Sequence, residues 1–375
     1  SSNGSTTTII TDNSSDHFKI NNVFGGNRIS PGDNSTEWTE YSEDPDFDDF
    51  EITPDKHFMM LNSVKNVKTS SNKQIATLEF VSVEAIINET ARVSRRFTGN
   101  VSQIVKELMK DKKSIQTSKN LETDESFNKY SFVGNLKRPF DTIQWLCPKA
   151  ASTDKECGFL FYENLDGYFF KSIKGLLESD SSETYEKPEA PVDTDIKITE
   201  NNLDSSNDIG MNCRMGMYAN KTLYVDIENG KIETVDYKIS DLKLAKPPKL
   251  PAGLEDTPTR LMLRILDAGA LQKGSKKEEV EKKSELAVYQ NKSYARTNLL
   301  FSQSLSISTP FNPDLRVGQM IDVVLPVKEG SDQSQTTGGG ENDISGKYLL
   351  SELKHSIANG KSNSELKLIR DVFTA

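Results

Sequence analysis

The last quarter of the chain carries three apolar runs with the length and composition typical of β-strands. Residues 318–327, 348–357 and 364–369 are rich in valine, isoleucine and leucine. Asn359 and Gly360 stand between the last two runs, and this dipeptide is favoured in two-residue hairpin turns. The pattern predicts three antiparallel strands that close a small sheet or barrel, which we call the closing block.

Further strand pairs are predicted upstream of the closing block. Residues 74–84 alternate well enough to form a half-buried strand, with Leu78 and Phe80 facing inward; the alternative is that both faces pack. The predicted strands are 57–65 paired with 73–83, an aromatic hairpin over 157–173 that turns at Asp166-Gly167, a hairpin over 221–239, and single strands at 261–266 and 299–307. The second hairpin and the last strand are expected to supply the missing partners of the closing block.

Two amphipathic helices are predicted between the first strand pair and the aromatic hairpin. The first has apolar residues at helical spacing and Asn100 placed to cap it. Its apolar stripe consists of Val101, Ile104, Val105 and Leu108. The second begins near Arg138 with Pro139 in its first turn, while Pro148 kinks or shortens it. With the hairpin, these helices predict a compact α+β unit over 93–180.

Polar and charged segments separate these elements. We interpret 111–130 as a polar connection, 178–210 as an acidic, proline- and serine-rich linker or excursion, and 276–296 as a charged helix. The order of elements is therefore β, α+β, β, helix, β. It indicates a mixed, β-rich (α+β) fold, which is built most simply from barrel-like sheets that carry an inserted helical unit.

Composition narrows the possible functions. A chain of 375 residues exceeds the size at which single cores stop growing, so it predicts two or more domains. The net charge of −10 and the sequence pI near 5.1 disfavour a nucleic-acid clamp, because phosphate binding needs clustered lysine and arginine. No apolar run approaches the ~20 residues of a membrane helix, and no signal-peptide pattern is present, so we expect no membrane partner.

Candidate chemistry is sparse along the chain. His17, His57 and His355 lie too far apart in sequence for metal-ligand spacing. The acidic run 43–51 lacks the glycine and glutamate positions of a calcium loop. The glycine-rich stretch 338–347 fails the phosphate-loop spacing and precedes a predicted strand instead of a helix. We therefore expect no catalytic, cofactor-binding or metal-binding residues.

Cysteines and glycosylation sequons give no stronger signal. Cys147, Cys157 and Cys213 are too few for a disulfide framework; a Cys147–Cys157 bridge is open, but free buried thiols are favoured. Seven Asn-x-Ser/Thr sequons occur, at Asn3, Asn13, Asn34, Asn88, Asn100, Asn220 and Asn291. They would suggest glycans in a secreted protein, but a chain rich in these residues contains such triplets by chance.

Three blocks of sequence together point to one family. The first block (76–108) includes ATLEFVSVEA, RVSR and IVKEL; the second (138–170) includes RPFDTIQWLCPKA and GFLFYENLDGYFF; the third (315–371) includes LRVGQ, SGKYLLSELKH and LKLIRD. In this order and spacing, the blocks resemble the central baseplate-hub proteins of T-even-like contractile-tailed bacteriophages, especially those of marine phages. The resemblance covers about residues 60–372.

The resemblance implies a structural protein of the virion, located in the tail baseplate and assembled in the host bacterial cytoplasm. It implies a homotrimer in which each chain contributes two tail-tube-like antiparallel β-barrels to a pseudo-sixfold ring. The ring adapts the sixfold tail tube to the threefold spike and encloses a channel, through which DNA passes without sequence-specific binding. The implied partners are the spike protein below, tail-tube or tube-initiator proteins above, and baseplate wedge proteins. Neither enzymatic activity nor a cofactor is implied.

This resemblance and the patterns above predict four parts of the chain. Residues 1–92 form the first tube-like barrel, 93–180 the inserted α+β domain, 181–250 with 299–372 the split second barrel, and 251–298 an inserted helical or irregular segment. Within the second barrel, 331–345 is expected to be a loop that reaches toward a neighbour.

Two alternatives belong to other functional classes. The seven sequons and the Ser/Thr-rich start suggest a secreted, glycosylated adhesin or receptor domain, for which a glycan-sensitive mass shift is the test. A tail-associated cell-wall hydrolase is the other, and clearing of a peptidoglycan gel tests it. The hydrolase hypothesis lacks a catalytic constellation in the sequence.

Overall fold

The computed structural model describes residues 4–12, 30–31, 38–39, 59–69, 73–187, 198–205, 208–227, 230–242, 257–265, 277–325, 344–358 and 361–372. Within these ranges the chain forms nineteen strands and six α-helices. This mixture confirms the predicted β-rich, mixed fold class, whereas the division into two barrels stays a prediction.

The strands are β1 (Gly4–Asp12), β2 (Ser30–Pro31), β3 (Trp38–Thr39), β4 (Met59–Thr69), β5 (Lys73–Ser82), β6 (Arg96–Asn100), β7 (Asn120–Thr123), β8 (Lys129–Val133), β9 (Phe159–Asn164), β10 (Gly167–Ser172), β11 (Ser181–Glu186), β12 (Glu200–Ser205), β13 (Ala219–Asp226), β14 (Lys231–Lys238), β15 (Arg260–Ile265), β16 (Gln303–Pro310), β17 (Met320–Val324), β18 (Gly346–Ala358) and β19 (Lys361–Arg370). The helices are α1 (Val83–Thr90), α2 (Val101–Lys110), α3 (Pro139–Leu146), α4 (Ile173–Leu177), α5 (Ile209–Met215) and α6 (Lys277–Leu300). Short 3-10 turns lie at Cys147–Lys149 and Ile239–Asp241.

The largest sheet has six strands in the order β11–β17–β18–β19–β16–β12. Strands β17, β18 and β19 are the predicted closing block, antiparallel as expected, and β16 pairs with β19 as expected. The sheet curls until its two edges meet at one end, where the amide of Ile198 donates to the carbonyl of Glu186 at 2.9 Å. Its interior is filled by buried side chains, namely Tyr185, Ile198, Leu305, Ile307, Leu315, Ile321, Val323, Tyr348, Leu350, Leu366 and Leu368.

Two expectations about this sheet are wrong. Its edge strands β11 and β12 lie inside 178–210, where the sequence predicted a linker or excursion. Both strands are mostly serine, glutamate and asparagine, and β11 contributes a single fully buried aromatic, Tyr185, to the interior. The hairpin over 221–239 forms as predicted, but its strands β13 and β14 belong to a separate sheet in the order β14–β13–β15.

The α+β unit forms from α2, α3 and the sheet β7–β10–β9. The predicted apolar stripe of α2 is buried, and Gln103 Oε1 accepts a hydrogen bond from the Asn100 amide at 3.3 Å at the start of the helix. Helix α3 begins at Pro139 and ends at Leu146, one residue before the Cys147–Lys149 turn that contains Pro148, as predicted. The expected polar connection at 111–130 was wrong in part, because it contains β7 and the start of β8.

The aromatic hairpin β9–β10 is confirmed, with its turn one residue earlier than predicted. Asn164 pairs with Gly167, so the turn consists of Leu165 and Asp166. Gly167 has φ +141°, and a Cβ added there would lie 2.3 Å from the carbonyl oxygen of Asn120 on β7. Glycine is therefore required where the hairpin and β7 approach each other.

Helix α6 covers the inner face of the sheet β14–β13–β15. The hydroxyl of Tyr224 donates to the carbonyl of Ala287 at 3.1 Å, and Thr222 Oγ1 donates to Asn291 Oδ1 at 3.3 Å. The helix matches the predicted charged helix but continues to Leu300, so the strand expected to begin at 299 begins at Gln303. The predicted strand at 261–266 is β15, which pairs in parallel with β13.

The predicted pair β4 and β5 is also antiparallel, with β1 on the other side of β5. Leu78 and Phe80 are half-buried, and so are Thr77 and Glu79 on the opposite face. The single inward face predicted for this strand is therefore not observed in one copy of the chain.

Candidate functional site

The hairpin β9–β10 connects the parts of the chain that carry the family resemblance. One side of it contacts the end of β5 and helix α1, and the other side contacts the curled six-stranded sheet. We call these two contacts together the hairpin junction, formed by Glu84, Lys119, Glu163, Asp166 and Arg316 with their neighbours.

On the first side of the junction, one lysine bridges two carboxylates. Lys119 Nζ lies 3.0 Å from Glu84 Oε2 on α1 and 2.7 Å from Glu163 Oε1 on β9. Thr117 Oγ1 donates to the other oxygen of Glu84 at 2.6 Å, and Ser82 Oγ donates to Glu163 Oε2 at 3.1 Å. Both carboxylates thus have compensating donors, so this half-buried charge cluster is electrostatically satisfied.

Burial and pairing act in opposite directions on these groups. Burial alone would raise the pKa of Glu84, but hydrogen bonds from Thr117 and Lys119 outweigh it and bring the pKa below its usual range. Burial alone would lower the pKa of Lys119, but Glu163 and Glu84 outweigh it and raise that pKa. Glu84 and Lys119 therefore both stay ionised at neutral pH.

On the second side, the hairpin tip contacts the segment before β17. Arg316 Nε donates to Asp166 Oδ1 at 3.1 Å, and Asn164 Nδ2 donates to the carbonyl of Val317 at 3.1 Å. Gly318 has φ +97°, and a Cβ added there would lie 2.3 Å from the Tyr162 hydroxyl oxygen. A side chain at 318 would push the hairpin away from the sheet.

An apolar seam continues this contact across the outside of the curled sheet. Met320, Leu349 and Ile369 point outward and are buried against the hairpin and helix α4. The residues that pack with them are Leu160, Tyr162, Ile173, Leu176 and Leu177, together with Leu300 at the end of helix α6. The inserted α+β unit therefore covers one part of the outer sheet face.

The other part of the outer face is charged and exposed to solvent. Lys354 lies 2.8 Å from Glu365, and Lys367 lies 3.1 Å from Glu352, each pair joining β18 to β19. A groove of about 440 Å³ runs beside these pairs, lined by residues of β12, β16, β18 and β19. The groove holds as many lysines as neighbouring glutamates on β18 and β19, so its charge is largely compensated.

Solved structures of similar shape come from phage and prophage tails. The tail protein from Neisseria meningitidis MC58 is 10% identical with a TM-score of 0.49, over 84% of this chain and 80% of that chain. The 43 kDa tail protein of prophage MuSo2 from Shewanella oneidensis is 8% identical with a TM-score of 0.45, over 84% and 77%. Prophage tail protein gp18 from Listeria monocytogenes EGD-e is 10% identical with a TM-score of 0.45, over 97% and 94%.

These values are too low to assign a family or a function to this chain. No protein-family model matches the sequence, and no curated protein matches it either.

Among the three histidines, the structure describes only His355, which packs between strand and loop residues. His355 Nδ1 lies 2.8 Å from Ser364 Oγ, and its ring contacts Phe311 edge-on. Burial, with Arg316 as a second cause, lowers the pKa of His355. Among the described residues, no group of three or more His, Cys, Asp or Glu side chains is placed to hold a metal ion. His17, His57, the acidic run 43–51 and most of 331–345 lie outside the described residues.

The cysteines are free thiols. Cys147 and Cys157 are both buried, and burial raises the pKa of each to about 12. Thiols with such pKa values are poor nucleophiles at neutral pH. Three sequon residues, Asn88, Asn220 and Asn291, are 6%, 0% and 2% exposed, which leaves no room for a glycan at any of them. No helix among the described residues is long and apolar enough to cross a membrane.

Sequence reasoning missed the hairpin junction itself. Lys119 and Glu163 are 44 residues apart, and Arg316 and Asp166 are 150 residues apart. Isolated charged residues of this kind look like solvated surface until the fold brings them together. A partial signal was present, because Glu84, Glu163, Asp166 and Arg316 all lie inside the three family-like blocks.

Proposed function

We propose that this chain is a structural protein of a contractile bacteriophage tail and forms the central hub of its baseplate. One observation carries the proposal: the three blocks that resemble hub proteins converge on the hairpin junction. The first block supplies Glu84, the second supplies Glu163 and Asp166, and the third supplies Arg316. The residues that carry the resemblance are thus the ones that hold the parts of the chain together.

The filled interior of the curled sheet supports a channel between copies. Because Tyr185, Tyr348 and nine aliphatic side chains occupy that interior, the sheet is a wall element through which nothing can pass. A passage for DNA therefore requires several chains around a common axis. In the proposed homotrimer, each chain contributes two tube-like elements, of which the curled six-stranded sheet is one.

The charge distribution supports transit without tight binding of DNA. The chain carries a net charge of −10, and on the exposed part of the curled sheet the lysines are paired with glutamates. DNA affinity rises with the number of phosphates that free cations neutralise. A channel wall whose charges are paired binds DNA weakly, so the DNA can slide along it.

The proposed hub function also implies the neighbouring proteins in the tail. The ring adapts the sixfold tube above, made of tail-tube or tube-initiator proteins, to the threefold spike below, and baseplate wedge proteins surround it. The location is the virion tail baseplate. No cofactor and no membrane take part.

Mass measurement and imaging test the proposal directly. Light scattering coupled to size exclusion is expected to give three times the 41.9 kDa of the chain. Averaged electron micrographs are expected to show a ring with a central opening. A clean monomer at high protein concentration, or a trimer with a closed centre, would overturn the hub assignment. Clearing of a peptidoglycan gel by the purified chain would replace it with the hydrolase hypothesis.

A further inference from the structure

One side of the sheet β14–β13–β15 is apolar and exposed. Strand pairing places Leu263 beside Leu223, and Ile265 beside Val225 and Ile232, on one face. Leu261, Leu263, Ile265 and Ile232 are 66–73% exposed. At the end of this face, Lys221 lies 3.4 Å from Asp236, so its charges compensate each other. We call Leu223, Val225, Ile232, Leu261, Leu263 and Ile265 the distal apolar face.

The other side of that sheet is already occupied by α6. Tyr224 and Thr222, which alternate with the residues of the distal apolar face, are fully buried and hydrogen-bond to the helix. A strand that is apolar on both sides is typical of a sheet covered on both sides. Exposed apolar patches of this kind mark contact surfaces.

A second, unlike apolar face lies on the first sheet. Leu61 pairs with Phe80 and Val64 pairs with Leu78, because a bulge between Leu61 and Ser63 restores their register. Leu61 and Val64 are 52% and 51% exposed, while Leu78 and Phe80 are half-buried beside them. We call Met59, Leu61, Val64, Leu78 and Phe80 the proximal apolar face.

A cover over the proximal apolar face would account for the partial burial of Leu78 and Phe80. The sequence predicts that Leu78 and Phe80 face inward, yet one copy of the chain covers them only in part. A covering layer from outside the copy satisfies both observations. The proximal apolar face contains no charged residue, so desolvating it costs little.

We propose that the proximal apolar face of one copy packs against the distal apolar face of the next copy, as two layers of a β-sandwich. Both faces belong to the same chain, and neither is covered by the other within one copy. An unlike pair of surfaces makes a head-to-tail contact, and three such contacts related by a threefold rotation close into a ring. The inference rests on the proposed hub function for its ring and names the surfaces that build it.

The exposed apolar area of the two faces can be compared with the area that a stable interface buries. A fully exposed aliphatic side chain presents roughly 60–120 Å². Scaled by their exposed fractions, the strongly exposed members of the two faces therefore contribute roughly 200–450 Å² of apolar surface, at most about half of the ~1,000 Å² that a stable interface needs. Flanking backbone and the half-buried members of the faces supply the remainder. Two layers of three strands packed at about 10 Å have this geometry.

Substitution of one residue on each face tests the contact. Leu61→Asp and Leu263→Asp are each expected to weaken assembly at least about thirtyfold, as loss of a central interface side chain does. The matched control is Val133→Asp, since Val133 is 63% exposed on β8 and lies on neither face. Light scattering over a dilution series gives the mass, and circular dichroism shows that each variant is folded.

Crosslinking tests the pairing even if a substituted chain folds poorly. In a Cys213→Ser background, Leu61→Cys and Leu263→Cys chains are produced separately and also co-expressed, then treated with a short bismaleimide. A product of two chains is expected only from the co-expressed sample. The buried Cys147 and Cys157 thiols are present in every sample and act as an internal background.

Each other outcome overturns this inference. A two-chain product from Leu263→Cys alone would mean that the distal face pairs with itself. A chain that carries both Leu61→Cys and Leu263→Cys is treated in the same way. If it forms a crosslink within a single chain, and the co-expressed sample gives no two-chain product, the faces meet within a copy. A trimer unaffected by both aspartate substitutions would reject these surfaces and leave the hub function intact. A wild-type monomer would reject both.

Discussion

The guanidinium of Arg296 lies 3.0 Å from the carboxylate of Asp371, and both side chains are almost completely buried. Arg296 is in the last part of α6, whereas Asp371 follows β19 directly. The ion pair therefore fixes the helix that covers the β14–β13–β15 sheet to the end of the curled sheet. Ser302 Oγ strengthens the same corner by donating to the carbonyl of Arg370 at 3.0 Å.

We predict that Asp371→Asn destabilises the chain by about 3–5 kcal/mol, because it leaves a buried guanidinium without its counter-charge. Denaturant unfolding followed by fluorescence measures the change. Replacing both partners, with Arg296→Met and Asp371→Leu, is expected to restore much of the loss, since neither charge of the pair remains. A single variant within about 0.5 kcal/mol of wild type would show that the pair is dispensable.

Lys119→Met should weaken the first side of the hairpin junction. Glu84 and Glu163 then face each other without a cation between them, and we expect a loss of about 2–4 kcal/mol. The pKa of Glu84, depressed in the native chain, should rise, which carboxyl NMR can follow. The matched control is Lys174→Met, whose partners Asp154 and Glu178 are exposed, and its loss should stay below about 1 kcal/mol.

Acid should act on the same cluster in a defined direction. A carboxylate with a depressed native pKa adds stability above its unfolded pKa, and the stability is lost as the pH falls through the native value. For Glu84 the loss therefore begins near its ordinary value of 4.5 and continues below it. Wild type should lose more stability between pH 5 and pH 3 than Glu84→Gln does, and equal losses would contradict the assigned pairing.

Local patterns predicted most elements, because their causes lie within a few residues. Pro139 at the start of α3 and the pairing of β9 with β10 are examples. The edge strands of the curled sheet were missed because β11 and β12 carry polar side chains, and pairing with β17 and β16 decides their conformation. The prediction that β13 and β14 pair with the closing block was wrong for the same reason. Pairing of strands far apart in sequence is decided by the whole fold.

The hairpin junction could be located from the sequence only as part of the family-like blocks. Nothing in the local setting of Glu163 or Arg316 distinguishes it from a solvated charge. Their roles depend on Lys119 and Asp166, which the topology brings next to them. The sequence indicated only the proximal apolar face, since the alternation of Leu78 and Phe80 predicts a buried side but not what covers it.

Gly167→Ala should disrupt the hairpin itself. Alanine is strained at φ +141°, and its Cβ would lie 2.3 Å from the carbonyl oxygen of Asn120. We expect a loss of more than about 2 kcal/mol, with faster amide exchange in β7 and β10. Gly230→Ala is the matched control, because its φ is +63° and nothing lies within 4 Å, so only the ~1 kcal/mol conformational cost applies. Equal losses in the two variants would show that the close approach to β7 is unimportant.

Mild acid should destabilise the curled sheet through His355. Burial, with Arg316 as the second cause, lowers the pKa of its ring, so the unfolded chain takes up a proton near the ordinary value of 6.5 while the folded chain does not. Stability from this site is complete above pH 6.5 and falls below it by at most about 1.4 kcal/mol per pH unit. Asn at 355 keeps a hydrogen-bonding group near Ser364 without titrating. The difference in unfolding free energy between wild type and His355→Asn should therefore shrink from pH 7.5 to pH 5.5, while contributions from all other groups cancel. A difference that stays constant over this range would show that the ring is protonated in the folded chain as readily as in the unfolded one.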